Sequence, residues 1–377
     1  MNRIIFRTDA NHSIGMGHLM RCLSIADAFQ RLDKEVSFIV ADDIAEDCIL
    51  ERGFKVMVLY TDYKDMDDEL QFWPLLDGIG FVIVDSYHVT YSYLYHLREK
   101  VGKNGGKLAY IDDVYSFPYP VDILINYNIY GEYVDYHSLY VNSGVDEPQY
   151  ILGTDYVPLR DMFKSLPKRV QTKRVRNVLI STGGSDELHL ARTLICYLLE
   201  LNSNNEHTDY PSNERDRIYH VLLGSMNSDK DDIRRITKDH DFIILHENVS
   251  NMKSLIMSMD LCVSAAGSSL YEICACGVPL ITYSIADNQL SGAEAFEKYG
   301  VAVNIGDLRD PDSIDAGLFF SGGLCEDSAE RIISTVEVVA DDYLKRTYMG
   351  KRMQELVDGY GASRIVNAIS CLSINRK

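Results

Sequence analysis

Short runs of β-branched and other apolar residues alternate along the chain with longer segments of helical periodicity. After the first run, apolar residues recur at i, i+3, i+4 and i+7 (Leu19, Cys22, Leu23, Ala26), which predicts a helix. This order is typical of βαβ units and of a mainly parallel sheet. In the first half, strands are predicted at Arg3 to Arg7, Glu35 to Val40, Lys55 to Tyr60, Phe81 to Val84, Lys107 to Ile111 and Asp122 to Ile125.

The alternation restarts after a basic, proline-containing segment, Lys164 to Arg174, which is the best linker candidate. We therefore expect an α/β protein with two Rossmann-like domains, at residues 1–163 and 175–340, followed by C-terminal helices at 341–377. The polar stretch Asn202 to Arg217 is predicted to be a solvated loop. Strands of the second half are predicted at Val175 to Ser181, Tyr219 to Leu223, Phe242 to Leu245, Leu261 to Val263 and Pro279 to Tyr283.

Composition narrows the classes of partner. The net charge of −19 over 377 residues argues against nucleic acid or an anionic membrane surface, because either needs a basic face. An anionic small substrate would have to be bound locally, by helix N-termini and a few arginines. The chain has no signal-peptide pattern and no apolar run long enough for a membrane span, so we expect a cytoplasmic protein without membrane insertion.

The eight cysteines are scattered, and several lie in apolar segments. Cys274 and Cys276 form a lone CxC, which predicts neither a disulfide framework nor a metal site. We expect structural cysteines, no metal and no cofactor.

Three glycine-rich turns follow predicted strands. In the first, Gly15 and Gly17 lead into a helix that begins with His18 and carries Arg21, and we expect Gly15, Gly17 and Arg21 to contact the substrate or its nucleotide. Such a turn lets the backbone approach an anion, and an imidazole there is suited to acid–base chemistry near neutral pH. The alternative is a tight turn with a capping or half-buried histidine.

In the second turn, Gly183 and Gly184 lie between hydroxyl residues and suit a diphosphate, or else precede a helix that Ser185 or Asp186 caps. In the third, Gly267, Ser268 and Ser269 can cap phosphates at a helix N-terminus. Glu272, one turn later, suits two ribose hydroxyls or simply complements the helix dipole.

The order of these turns, one in the first half and two in the second, resembles that of GT-B nucleotide-sugar enzymes, in which two Rossmann-like domains face each other across a cleft. More narrowly, the chain is similar to the family of UDP-2,4-diacetamido-2,4,6-trideoxy-β-L-altropyranose hydrolases of pseudaminic acid biosynthesis and to related spore-coat polysaccharide proteins. The matching stretches run from Arg3 to about Gln289: RTDANHSIGMGHLMRCLSIADAF, VDSYHVT, IDDVYSFPYPVDILINYN, GTDYVPLRDMF, STGGSD and SAAGSSLYEICACGVPLITYSIADNQ.

The resemblance implies roles for individual residues. The catalytic histidine falls on His18 and a tyrosine of the site on Tyr87, two residues after Asp85. Nucleotide contacts fall on the Gly267 to Glu272 segment, and the sugar-facing amide falls on Asn288, beside Gln289. Tyr87 has the alternative of packing at the sheet edge, and Asn288 that of a helix N-cap. The chain departs from the family at Ser86, where a histidine is common, and His88 is a candidate to supply what that histidine does.

Three functions are consistent with this pattern. The first is metal-independent hydrolysis of a UDP-linked deoxy-diacetamido sugar, in which His18 orients or deprotonates water, Tyr87 helps to fix it, and amides at Gly267 to Ser269 stabilise the leaving UDP. The second is a GT-B glycosyltransferase that uses a UDP-sugar donor for cell-surface polysaccharide. The third is a binding module that kept the fold and lost the chemistry.

Overall fold

The structure, a computed structural model, describes residues 3–11, 14–73, 78–205, 217–224, 226–309 and 327–372. It divides into two compact units. Unit 1 consists of residues 1–164 together with 359–377, and unit 2 consists of residues 165–358.

Unit 1 is built on a parallel sheet. In the described residues its strands are β1 (Arg3–Thr8), β2 (Glu35–Val40), β3 (Lys55–Val58), β4 (Ile79–Asp85), β5 (Lys107–Ile111), β6 (Ile123–Asn126) and β7 (Gln149–Leu152). Their order across the sheet is β3-β2-β1-β4-β5-β6-β7, and each neighbouring pair is parallel. The central strand β4 is buried along its whole length, as expected when both faces of a parallel sheet are covered.

Unit 2 repeats this architecture with a smaller parallel sheet. Its described strands are β8 (Asn177–Ser181), β9 (Ile218–Leu223), β10 (Ile243–Glu247), β11 (Leu261–Ala265), β12 (Leu280–Ser284) and β13 (Val303–Asp307). They lie in the order β10-β9-β8-β11-β12-β13. In both sheets the strand order reverses beside the first strand of the unit, which is the doubly wound arrangement that the alternating pattern predicts.

Helices follow most strands. The described ones are α1 (Gly17–Gln30), α2 (Glu46–Glu51), α3 (Tyr91–Lys103), α4 (Tyr136–Tyr140), α5 (Leu190–Asn205), α6 (Lys230–Thr237), α7 (Met252–Met257), α8 (Ser269–Cys276), α9 (Asp287–Lys298), α10 (Ser328–Asp341), α11 (Tyr343–Leu356) and α12 (Gly361–Leu372). In α1 the four residues that carry the predicted helical period are all fully buried. No described helix is long and apolar enough to cross a membrane.

The C-terminal helices divide between the units. Helices α10 and α11 belong to unit 2, whereas α12 belongs to unit 1 and packs against α1. Ala362, Ile365, Val366 and Ile369 form the buried face of α12. The N-terminal Rossmann-like unit is therefore completed by residues from the other end of the chain.

Two other segments can be compared with the sequence pattern. The predicted linker, Lys164 to Arg174, contains the division between the units, and its later part is anchored to unit 2: Arg169 Nη1 donates to the Met257 carbonyl at 3.1 Å, and Gln171 Nε2 donates to the Gly277 carbonyl at 2.8 Å. Helix α5 continues to Asn205, into the start of the polar stretch expected to be a loop. The rest of that stretch lies outside the described residues, apart from Arg217.

Candidate functional site

A small pocket opens in unit 1 where β1 and β4 end. These neighbouring strands are parallel, and Thr8 lies opposite Asp85 in their register, so the residues that follow both strands meet at one edge of the sheet. The strand order reverses between β1 and β4, which is where open α/β sheets bind ligands. The pocket is lined by Asp9, Ile14, His18, Asp85, Ser86, Tyr87 and His88.

The turn before α1 gives His18 its position. Gly15 has a φ of 69°, a left-handed conformation that glycine adopts without steric cost, and its amide donates to the Asn11 carbonyl at 2.8 Å. The Asn11 side chain accepts a hydrogen bond from the Ile14 amide at 3.1 Å. Helix α1 then begins at Gly17, and Met16 provides no side-chain cap. The first turn of α1 therefore presents its backbone amides beside the pocket.

His18 and Asp85 form a buried pair. The Nδ1 atom of His18 lies 2.6 Å from Oδ1 of Asp85, and only 5% of the His18 residue is exposed. Burial by itself would raise the pKa of Asp85, but the neighbouring Arg21 guanidinium and His18 lower it, so the carboxyl group is ionised. Because an ionised carboxylate only accepts hydrogen bonds, the proton of the pair belongs to Nδ1. In the neutral form of the ring, the lone pair is then on Nε2.

Arg21, three residues further along α1, is the cation of this site. Its Nε donates to Oδ2 of Asp85 at 2.5 Å and its Nη2 donates to Oδ1 at 2.5 Å. Its Nη1 donates to Asp113 at 2.7 Å and to the Tyr127 hydroxyl at 2.6 Å. Desolvation alone would lower the pKa of Arg21, but Asp113 and Asp85 raise it. The guanidinium expected to contact a nucleotide is instead directed to two carboxylates.

Tyr87 lines the pocket beside His18. Its ring packs edge-on against the His18 ring, with 4.4 Å between centroids and an interplanar angle of 82°. Its hydroxyl points to Oδ2 of Asp113 at 3.4 Å, a long hydrogen bond. Asp113 is held from its other oxygen by Asn128 Nδ2 at 2.7 Å. Tyr87 is 36% exposed, so it borders open solvent as well as His18.

A second ion cluster supports the β1 side of the pocket. Arg7, fully buried, donates from Nη1 to Asp9 at 2.5 Å and from Nε and Nη2 to Glu69 at 2.7–3.0 Å. The Tyr93 hydroxyl donates to the same Glu69 carboxylate at 2.6 Å, and the Ala41 amide donates to Asp9 at 2.7 Å. The residues of the Arg7-Thr8-Asp9 segment therefore fix the pocket wall.

His88 is a second imidazole in the pocket wall. Its backbone amide donates to Ser86 Oγ at 3.1 Å, and its ring packs edge-on against Tyr63, with 5.3 Å between centroids. Burial and the neighbouring Lys64 lower the pKa of His88, so it is neutral at pH 7. His88 therefore lines the same pocket as His18 and Ser86.

In unit 2, the structure favours the capping alternative for the second glycine turn. Asp186 accepts hydrogen bonds from the Leu190 and Ala191 amides, both at 3.0 Å, so its carboxylate occupies the N-terminus of α5. Gly183 and Gly184 precede that terminus by several residues and are exposed. The diphosphate expected at this turn therefore has no open helix N-terminus to bind. The backbone of this turn lies close to Gly224, where a Cβ atom would be 2.1 Å from the Gly184 carbonyl oxygen, so position 224 requires glycine.

The third turn keeps an accessible helix start. Gly267 and Ser268 are exposed, and Ser268 gives α8 no side-chain cap. Ser269 begins α8 with its hydroxyl 3.4 Å from that of Ser264, and the half-buried Glu272 lies in the first turn. Helix α8 follows β11 at the carboxyl edge of the sheet, which suits an anionic ligand.

The start of α9 brings Asn288 and Gln289 to the same edge of unit 2. The N-cap of α9 is Ala286, so the alternative in which Asn288 caps the helix is wrong. Asn288 is exposed, whereas the Gln289 side chain turns back and accepts a hydrogen bond from the Ile285 amide at 2.9 Å. Of the two amides, Asn288 is the better placed to contact a ligand.

The sequence reasoning missed three polar partners of this site, Asp113, Tyr127 and Asn128. Asp113 follows β5 and the other two follow β6, so the rule that ligands meet the carboxyl ends of parallel strands is the signal that identifies them. Among the described residues, no group of three or more His, Cys, Asp or Glu side chains is arranged to hold a metal ion.

Comparisons with known proteins give sequence relatives and structural neighbours. No family model matches the chain. An uncharacterized protein of Methanocaldococcus jannaschii is 26% identical over 313 residues, 79% of this chain, and the chain spans only 58% of that protein. The spore coat polysaccharide biosynthesis protein SpsG of Bacillus subtilis is 23% identical over 95% of this chain and 94% of its own length. A Campylobacter jejuni protein named UDP-2,4-diacetamido-2,4,6-trideoxy-β-L-altropyranose hydrolase is 23% identical over 80% of this chain and 98% of its own length.

Solved structures agree on the fold. The chain superposes on Acinetobacter baumannii MurG with a TM-score of 0.61, 11% identity and coverage of 98% of this chain and 100% of that one. The Staphylococcus aureus MnaA–UDP complex gives a TM-score of 0.61 at 12% identity, over 99% and 97% of the two chains. The calicheamicin glycosyltransferase CalG4 gives 0.59 at 14% identity, over 100% and 99%. The chain thus has the predicted GT-B fold, and the predicted resemblance is confirmed: it is similar in sequence to spore-coat polysaccharide proteins and to UDP-diacetamido-trideoxy-altropyranose hydrolases.

Proposed function

We propose that this protein hydrolyses a UDP-linked deoxy-diacetamido sugar to the free sugar and UDP, in biosynthesis of a pseudaminic-type nonulosonic acid. The observation that carries the proposal is the His18–Asp85 pair, whose 2.6 Å contact leaves Nε2 of His18 as a proton acceptor in the pocket. The name of the C. jejuni relative, matched over almost its full length, supports the choice of sugar.

The reaction follows from this arrangement. A water oxygen attacks the anomeric carbon, and the bond from that carbon to the β-phosphate oxygen breaks, with its electron pair leaving on UDP. Nε2 of His18 accepts the water proton as the new C–O bond forms. The imidazolium that results is stabilised by Asp85, whose carboxylate is already ionised and in contact with the ring.

Tyr87 is assigned the task of orienting the water or the sugar, because its ring contacts His18 and its hydroxyl borders the pocket. The nucleotide is assigned to unit 2. The backbone amides at Gly267 to Ser269 stabilise the diphosphate. The Glu272 carboxylate accepts hydrogen bonds from the ribose hydroxyls, and the Asn288 side chain donates a hydrogen bond to the sugar. UDP is a stable anion, so it needs charge stabilisation more than protonation, and we expect no divalent cation in the chemistry.

Glycosyl transfer to an alcohol is the second candidate, and one observation favours it. The structural neighbours include a glycosyltransferase with a TM-score of 0.59 over the whole chain. The same His18–Asp85 pair would then deprotonate an acceptor hydroxyl instead of water. The C. jejuni relative, which is matched more closely in sequence and is named a hydrolase, weighs toward hydrolysis, whereas the name of the B. subtilis relative indicates only polysaccharide biosynthesis.

The test is release of UDP from a panel of UDP-sugars that includes UDP-2,4-diacetamido-2,4,6-trideoxy-β-L-altropyranose, with no acceptor and with EDTA present. Wild type and His18→Ala are compared, with His137→Ala as the matched control, because His137 is an exposed histidine of unit 1 outside the pocket. Running the reaction in ¹⁸O-labelled water locates the broken bond, since attack at the anomeric carbon puts the label in the sugar.

Hydrolysis is supported by fast EDTA-resistant release in wild type and His137→Ala, loss in His18→Ala and label in the sugar. Tight binding without release, followed by turnover when an alcohol acceptor is added, replaces the hydrolase with a transferase. Binding that is equal in wild type and His18→Ala, with no turnover under either condition, identifies a binding module.

A further inference from the structure

On the His18 side of the unit 1 pocket, the buried cation Arg21 contacts two carboxylates. We propose that Arg21 is a positioning residue that sets the geometry of both His18 and Tyr87, each through its own carboxylate. The inference rests on the proposed function for the roles of His18 and Tyr87. It replaces the expectation that Arg21 binds the nucleotide.

Arg21 acts on His18 through Asp85. Nε and Nη2 of Arg21 donate to the two different oxygens of this carboxylate, both at 2.5 Å, which is a bidentate contact. Two parallel hydrogen bonds fix the plane of the carboxylate, so Oδ1 is held where it meets Nδ1 of His18 at 2.6 Å. The ring of His18 therefore takes its orientation and its tautomer from a carboxylate that Arg21 holds.

Arg21 acts on Tyr87 through Asp113. Nη1 of Arg21 donates to Oδ2 at 2.7 Å, and Asn128 donates to Oδ1 at 2.7 Å, so both oxygens of the Asp113 carboxylate accept hydrogen bonds. The Tyr87 hydroxyl donates to the same Oδ2 atom. The second Nη1 hydrogen bond, to the Tyr127 hydroxyl at 2.6 Å, fixes the guanidinium itself.

This geometry leaves Arg21 little capacity for a phosphate group. All three of its nitrogens already donate to Asp85, Asp113 or Tyr127, and only 8% of the residue is exposed. Nη2 also lies 3.1 Å from Nδ1 of His18, a contact between two N–H groups that fits only while both point at Asp85. A phosphate would have to displace carboxylates that burial makes costly to leave unpaired.

Two substitutions separate geometry from charge. Arg21→Lys keeps the cation but loses the bidentate contact, so we expect kcat to fall about 10- to 100-fold with little change in KM. Arg21→Gln removes the cation as well as the bidentate contact, so we expect a larger fall in kcat. Arg98→Lys is the matched control, because Arg98 pairs with Asp122 at 3.0 Å in the same unit, outside the pocket.

The contact of Arg21 and Tyr87 with Asp113 is tested separately by Asp113→Asn, which leaves the contact between Arg21 and Asp85 intact. We expect a lower kcat with the ¹⁵N signals of the His18 ring unchanged. Those signals are recorded with ¹⁵N-labelled histidine and assigned by their loss in His18→Gln. In wild type they should report the tautomer with the proton on Nδ1, and in Arg21→Gln they should change.

The NMR measurement keeps the two proposals distinguishable. If wild type releases no UDP but its His18 ring has the Nδ1 proton and Arg21→Gln changes that signal, the proposed function fails while the positioning role stands. Wild-type kcat and wild-type His18 signals in Arg21→Lys and Arg21→Gln, with only the melting temperature lowered, would reduce Arg21 to a structural residue. A raised KM with unchanged kcat in Arg21→Lys would assign Arg21 to substrate binding and overturn the inference.

Discussion

Asp85→Asn is the substitution that tests the proposed chemistry most directly. It keeps the shape of the side chain but removes the charge that faces the imidazolium. For charge centres about 4 Å apart and an effective dielectric constant of about 20, that attraction is about 4 kcal/mol. Arg21 already offsets part of it, because the guanidinium binds both oxygens of the same carboxylate. We therefore expect kcat to fall about 10²- to 10³-fold.

The assay is UDP release at saturating substrate, with the melting temperature measured on the same preparations. Asp122→Asn is the matched control, since Asp122 is a partly buried carboxylate of unit 1 that pairs with Arg98 away from the pocket. A kcat for Asp85→Asn within about threefold of wild type, in a protein that remains folded, would refute the assignment of His18 and Asp85 as a base and its orienting carboxylate.

Three further predictions concern unit 2. Gly224→Ala should lower the melting temperature sharply, because its Cβ would lie 2.1 Å from the Gly184 carbonyl oxygen; a circular dichroism melt that matches wild type would contradict the close approach. Asp186→Ala should cost about 1 kcal/mol in urea unfolding through loss of the α5 cap, and Asp186→Asn should recover much of it. Burial lowers the pKa of His220 and His246, which share a 2.8 Å hydrogen bond, below the usual 6.5. As the pH falls below about 6.5, the unfolded chain takes up protons at these two histidines before the folded protein does, so the free energy of unfolding falls. Melting temperatures from pH 8 to 5 should fall less in a His220→Gln, His246→Gln double variant.

The sequence predicts the central strands better than the edges. Glu35–Val40 and Lys107–Ile111 have the bounds predicted, because strands buried on both faces are continuous apolar runs. The edge strands β7 and β13, with one buried residue each, were not predicted, whereas the edge strands β3 and β10 were, at Lys55 to Tyr60 and Phe242 to Leu245. Strand β4 extends beyond the predicted Phe81 to Val84, and its last residue is Asp85.

The candidate site was predictable to a similar extent. The glycine turn before α1 and the family resemblance together indicated His18, and the pocket contains it with Tyr87. The role of Arg21 was not predictable, because its partners Asp85 and Asp113 lie 64 and 92 residues away and only the fold brings them to it. An arginine that binds a ligand and an arginine that holds carboxylates can both follow a glycine turn. The local sequence therefore cannot tell the two roles apart.

The return of α12 onto α1 has a consequence for biogenesis. Ala362, Ile365 and Ile369 are fully buried in unit 1, so the helix that bears His18 and Arg21 is not fully covered until this stretch has left the ribosome. During translation the face of α1 that α12 covers stays exposed until residues 361–372 have been made, and proteolytic removal of α12 would expose the same face in the folded protein.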